Sequence, residues 1–238
     1  IAATPRYHGG PPSFRTIMSK RIALLLLVAC LAGGLGLWAS QRFHGPAAPA
    51  LPVVKAVTLL PNPRVLPAFS LLQSDGSPLT VDDLKGHWTV VFLGFTHCPD
   101  ICPTTLAQLA AAQKQWGALP AATRPRVLFI STDPERDSPK ATGDYAHAFH
   151  ADTLAATAPI PQLEAFARSL SLVFMKAPGP SGDPADYTID HSAAFVLLDP
   201  QVRMAGVAQP PFDIRAIATD LELLSTASAV IPAQAGIQ

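Results

Sequence analysis

The chain has 238 residues, and its 17 lysines and arginines balance 17 aspartates and glutamates, so no basic field draws it to nucleic acid. Its 49% hydrophobic content and 25 prolines suit one substantial domain with extensions. Three cysteines, Cys30, Cys98 and Cys102, are too few for a disulfide-built scaffold, so the close pair reads as functional rather than structural.

Met18 directly precedes Ser19, Lys20 and Arg21, and residues 1–17 read as an upstream extension. Residues 22–39 form an almost unbroken apolar run, near the lower length limit for spanning a bilayer, and residues 18–43 are assigned as a membrane anchor. Arg15, Lys20 and Arg21 weight the N-terminal flank, which keeps that side in the cytoplasm and sends the remainder across the membrane. Two other readings lead to the same side. Leu27-Val28-Ala29-Cys30 resembles a bacterial lipobox, with Cys30 as the lipidated residue, and Leu37-Trp38-Ala39-Ser40 offers a signal-peptide cleavage site. Residues 44–66 are rich in Ala and Pro and read as a tether. The folded part is expected over residues 67–226, with 227–238 as a disordered tail.

Within that part, Asp75-Gly76 between two short apolar segments predicts a hairpin. Residues 88–95 follow as a strand whose continuous apolar character suits burial on both faces. Leu106, Leu109, Ala110 and Trp116 lie at helical spacing, residues 127–130 predict a second buried strand, and Leu163, Phe166, Ala167 and Leu170 mark another helix. A short strand at 172–175, a hairpin of 193–198 with 202–207 across Asp199-Pro200, and a helix through Ile214, Ile217, Leu221 and Leu224 complete the order. The fold class expected is α/β: a thioredoxin-like mixed sheet with flanking helices, preceded by an N-terminal transmembrane anchor.

The chemistry gathers where the first buried strand ends, in Thr96-His97-Cys98-Pro99-Asp100-Ile101-Cys102-Pro103. Two thiols near a helix N-terminus sit where the dipole favours thiolate, the form that binds soft metals or attacks disulfides. Pro103 suits a first helical turn. Two sulfurs alone give linear Cu(I), and a third donor is needed to hold Cu(II) as well; imidazole with thiolate is a set copper accepts. The candidate third ligand is His191, in Tyr187-Thr188-Ile189-Asp190-His191-Ser192, after a Gly- and Pro-rich loop at 177–184 that is expected to be mobile and ordered by metal. His97 is expected to point away from the pair. Asp133, Glu135, Arg136 and Asp137 read equally as a recognition patch or as a turn with a helix cap, and Met175 and Met204 read as core.

The motif from Gly94 to Pro103 resembles the signature of the SCO/SenC family of membrane-anchored copper proteins. The resemblance continues through Thr132-Asp133-Pro134-Glu135-Arg136-Asp137-Ser138-Pro139 and through 187–192, and spans residues 67–225. It implies a thioredoxin fold whose copper ligands fall on Cys98, Cys102 and His191, holding a copper ion, Cu(I) or Cu(II). It further implies a metallochaperone for the copper A centre of cytochrome c oxidase, with the oxidase's copper-binding subunit as partner and another copper chaperone as donor. The place implied is the bacterial inner membrane, with the domain in the periplasm. The alternative function is a thiol-disulfide oxidoreductase that reduces partner cysteines with Cys98 and Cys102. A peroxidase is the weakest reading, because the usual Pro- and Thr-containing approach to a single peroxidatic cysteine is not evident.

Overall fold

The computed structural model describes residues 20–43, 52–179, 181, 183 and 186–230. The readings of 1–17 as an extension, of 44–51 as part of the tether and of 231–238 as the end of the tail lie outside the described residues. Helix α1 (Lys20–Phe43) belongs to a first unit, residues 1–50, distinct from residues 51–238. Within it Ile22–Ser40 has a mean hydropathy of 2.4 and is long and apolar enough to cross a membrane. Leu24, Leu25, Leu31, Leu35 and Leu37 are all exposed, as is the free thiol of Cys30.

The second unit opens with β1 (Thr58–Val65), β2 (Ser70–Gln73) and β3 (Pro78–Thr80), followed by α2 (Val81–Leu84), β4 (Thr89–Gly94) and α3 (Ile101–Trp116). Next come β5 (Arg126–Ser131), α4 (Pro139–His147), β6 (Leu154–Thr157) and α5 (Ile160–Ser169). It closes with β7 (Phe174–Pro178), β8 (Tyr187–His191), β9 (Phe195–Leu198), β10 (Arg203–Ala208) and α6 (Ile214–Val230). Eight strands form one mixed sheet in the order β1-β10-β9-β4-β5-β6-β2-β3, while β7 and β8 make a separate two-stranded ribbon. β4, β5 and β6 run parallel, and β9 lies antiparallel to β4.

The unbroken apolar run of β4 follows from cover on both faces. Val90 and Phe92 point into one core with Cys102, Leu106, Trp116, Phe129, Phe195 and Leu221, under α3 and α6. Val91 and Leu93 point into the other with Leu128, Ile130, Leu163, Phe166 and Val196, under α5. Strands alternate side chains between faces, so one strand feeds both layers. The thioredoxin-like mixed sheet with flanking helices expected from the sequence is the fold observed.

The folded part begins earlier than composition suggests. β1 pairs antiparallel with β10, and Pro61 and Pro63 are tolerated there because β1 is an edge strand. Just before it, the buried carboxylate of Asp220 on α6 accepts the N–H groups of Lys55, Ala56 and Val57 at 2.7–3.1 Å. Residues read as tether are therefore docked by backbone bonds, which leave no periodic trace in side-chain pattern.

Candidate metal centre

Sheet order places the site. β4 is central, and its carboxyl end delivers the chain into the loop 95–100 and then into α3. Gly94 closes the strand, and a methyl there would stand 2.8 Å from Cys102 Sγ and 2.8 Å from Phe129 Cε2, so only glycine leaves room for the buried sulfur. In the first turn of α3 the Cys102 N–H donates to Cys98 Sγ at 3.4 Å, while the Asp100 side chain makes no capping bond. The two thiols are thus adjacent at one helix end, unpaired as a disulfide, with Cys102 fully buried and Cys98 partly exposed.

His191 ends β8 and approaches from the far side of the chain, its Nε2 3.9 Å from Cys102 Sγ. The Nδ1 atom lies 3.1 Å from the Ser192 carbonyl. A carbonyl only accepts, so this contact places the proton on Nδ1 and leaves the Nε2 lone pair facing the sulfur. Phe92 and Phe95 stand edge-on to the ring, with centroids at 6.2 and 6.3 Å. Burial holds the imidazole pKa below its ordinary 6.5, against smaller opposing effects of the Ser192 carbonyl and Asp190, so the ring is a neutral donor at pH 7. Among the described residues no three His, Cys, Asp or Glu side chains already form a metal cage. The arrangement is pairwise, Cys98 with Cys102 and Cys102 with His191, and its donors are two soft sulfurs and one imidazole nitrogen. That set fits copper.

One expectation about the thiols is corrected. The helix-end argument favours thiolate at both cysteines, but burial pushes the Cys102 thiol up to about 12, with the neighbouring Cys98 and Asp137 adding to the rise against one backbone bond from Phe95. Desolvation outweighs the dipole at this position. A metal ion bound there displaces a proton, so uptake is proton-coupled.

The acidic segment after β5 is neither simply a recognition patch nor only a capped turn. Ser138 does cap α4, accepting the Ala141 N–H. Asp137, however, is fully buried and accepts from Thr96 N–H (2.8 Å), Thr96 Oγ1 (2.5 Å) and Ser131 Oγ (2.5 Å), which pins the cysteine loop to the end of β5. Asp133, also buried, is bonded by Arg136 Nε and by the Tyr187 hydroxyl (2.9 Å). His97 engages Thr96 Oγ1 at 3.0 Å and Asp137 Oδ1 at 3.6 Å rather than either sulfur. Asp137 and Asp133 were visible in the sequence as charges following a buried strand, but only their burial reveals them as supports. Met204 is buried as expected, with Sδ accepting from Arg64 at 3.0 Å. Met175 is not core: it is 65% exposed, because β7 belongs to the ribbon and not to the main sheet.

The family model described as SCO1/SenC matches residues 58–225. The chain belongs to that family. It is 34% identical over 160 residues to a Stutzerimonas stutzeri protein with copper-binding in its name, a match covering 66% of this chain and 76% of that protein. It is 39% identical over 132 residues to the Bos taurus protein SCO2 homolog, mitochondrial, covering 56% of this chain but only 49% of the relative. Among solved structures, copper-bound Arabidopsis thaliana ScoI matches with a TM-score of 0.61 at 30% identity, covering 69% of this chain and 99% of that one. The SCO1/SenC match begins at the first residue of β1 and ends within α6, so it takes in the edge strand that composition assigned to the tether.

Proposed function

We propose that this SCO1/SenC chain is a membrane-anchored copper metallochaperone that carries its ion on Cys98, Cys102 and His191. Its destination in this reading is the copper A centre of cytochrome c oxidase during assembly, with the oxidase's copper-binding subunit as acceptor and another copper chaperone as donor. The observation that carries it is the His191 ring: a neutral imidazole, remote in sequence, with its unprotonated Nε2 aimed at Cys102 Sγ at 3.9 Å. Copper held by two sulfurs takes such a nitrogen as its third donor, whereas disulfide exchange requires only two thiols of suitable pKa. Partial exposure of Cys98 gives the cargo an exit. α1 is the anchor, and the basic residues flanking its apolar span, Arg15, Lys20 and Arg21, orient the domain to the periplasmic side of the inner membrane.

A thiol-disulfide reductase is the second reading, supported by two free cysteines with one of them accessible. In it Cys98 sulfur attacks a partner disulfide, one partner thiolate leaves, and Cys102 then displaces the second, so two electrons pass to the partner and a Cys98–Cys102 disulfide remains. His191→Ala separates the two. As a metallochaperone the variant retains its fold, loses most copper on dialysis and lacks the thiolate-to-Cu(II) absorption band. Unchanged copper retention, with full activity toward a disulfide substrate, would assign the site to the reductase. In cells, Cys98→Ser lowers oxidase activity, partly restored by added copper; no restoration, with oxidised subunit thiols, again favours the reductase.

A further inference from the structure

The ribbon that carries His191 shares no strand pairing with the main sheet. Among the described residues, its bonds to the loop 132–138 run through Tyr187, at the end of the ribbon away from His191, and through Lys176, in the middle of β7. Tyr187 donates its hydroxyl to Asp133 Oδ1 at 2.9 Å, and its carbonyl accepts from Arg136 Nη1 at 3.1 Å. The Tyr187 ring is flanked by two cations, the Arg136 guanidinium and the Lys176 ammonium, each 3.7 Å from the centroid. Lys176 reaches on to Glu135 at 2.8 Å. Asp137, in the same short segment, holds Thr96 beside Cys98. One stretch of five residues, Asp133 to Asp137, therefore grips both the cysteine loop and the histidine ribbon.

The geometry points to Tyr187 as a positioning residue for His191: clasped by Asp133 and Arg136, it sets the distance of the imidazole from the sulfurs and hence the rate at which copper leaves. This rests on His191 being a copper ligand. At its His191 end the ribbon is joined to the domain by the chain itself, through 192–194 into β9 and from α5 into β7, so the Tyr187 clasp holds its other end and fixes the ribbon's angle to the sheet. Loosening the clasp lets the ribbon turn about its His191 end, which reorients the imidazole while leaving Cys98 and Cys102 on their own supports.

The test uses the full chain in non-ionic detergent, loaded with Cu(II), with release to excess EDTA followed by stopped-flow loss of the thiolate-to-Cu(II) band. Tyr187→Phe keeps the ring between its two cations and removes only the bond to Asp133. It is expected to release copper roughly tenfold faster, the scale set by one hydrogen bond to a carboxylate. Its band is expected to shift, at an unchanged copper-to-protein ratio. Tyr187→Leu removes the cation contacts too and is expected to release faster still. The rate of Cys98 alkylation in the metal-free variants stays at the wild-type value. Wild-type release and an unshifted band in both variants would overturn the clasp, and so would a parallel rise in Cys98 alkylation, which would mean the whole site had loosened. His191→Ala, measured alongside, tests the parent reading: if it leaves the band and the stoichiometry untouched, the ligand assignment itself fails, whatever the Tyr187 variants do.

Discussion

Gly94→Ala probes the tightest point of the site. No left-handed backbone angle demands glycine there, so the residue is required for room alone. The added methyl meets Cys102 Sγ and Phe129 Cε2, both at 2.8 Å, about 0.7 Å inside the ordinary contact distance of about 3.5 Å. Both neighbours are fully buried, and Cys102 has a single side-chain torsion, which would carry its sulfur away from Cys98 and His191. Overpacking of this kind costs about 1–3 kcal/mol. Urea unfolding of the metal-free full chain, followed by fluorescence of the buried Trp88 and Trp116, reads the cost directly. Repeating it in a Cys102→Ala background removes the sulfur and should return about 1 kcal/mol, since contacting residues couple on that scale. Copper release should accelerate in the single variant. A change below about 0.5 kcal/mol, or a cost identical with and without the sulfur, would refute the claim that this glycine exists to seat Cys102.

Four further outcomes follow from the same structure. Asp137→Ala leaves the Thr96 N–H and Ser131 hydroxyl without their acceptor, and is expected to destabilise the fold by about 3 kcal/mol in urea unfolding and to shorten copper retention. Asp220→Ala frees residues 55–57, so amide hydrogen exchange should rise there and in β1 but not in β4. In a Cys30→Ser background at pH 7.5, iodoacetamide should label Cys98 and spare Cys102, whose thiol is buried and pushed up to about 12; rapid labelling of both would contradict that burial. Burial holds His87 below its ordinary 6.5, with a smaller opposing contribution from its bond to the Arg124 carbonyl. The unfolded chain then takes up the proton first, so the stability present above about pH 6.5 is lost as pH falls through the folded value, and His87→Gln should flatten that slope in urea titrations between pH 7.5 and 5.

Much of the site was legible because its chemistry is local. Cys98 and Cys102 lie within one strand-loop-helix junction, and strand and helix periodicity alone put them at the carboxyl end of β4. The hairpin of β2 and β3, the β9–β10 pair and the terminal helix were equally readable, since each rests on neighbouring residues and a turn signal. What went unread has no local signature. β6 is only Leu154-Ala155-Ala156-Thr157, too short and too Ala-rich to announce itself, and it is a strand because β5 and β2 flank it. Residues 187–191 carry too few apolar positions to mark a strand, and they are β8 because β7 pairs with them; Met175 was read as core because thioether burial is the usual outcome.

The amino-acid order by itself determined the long apolar helix, the layered α/β architecture and the choice of Cys98, Cys102 and His191 as candidate donors. These depend on hydropathy runs and on residue chemistry, which are properties of short segments. Only the tertiary structure decided how the donors meet: the tautomer of His191, the raised thiol of Cys102, the sulfur-sized gap at Gly94 and the shared grip of Asp133 and Asp137. Each of those depends on burial and on groups brought together from distant parts of the chain, and burial is a property of the packed whole.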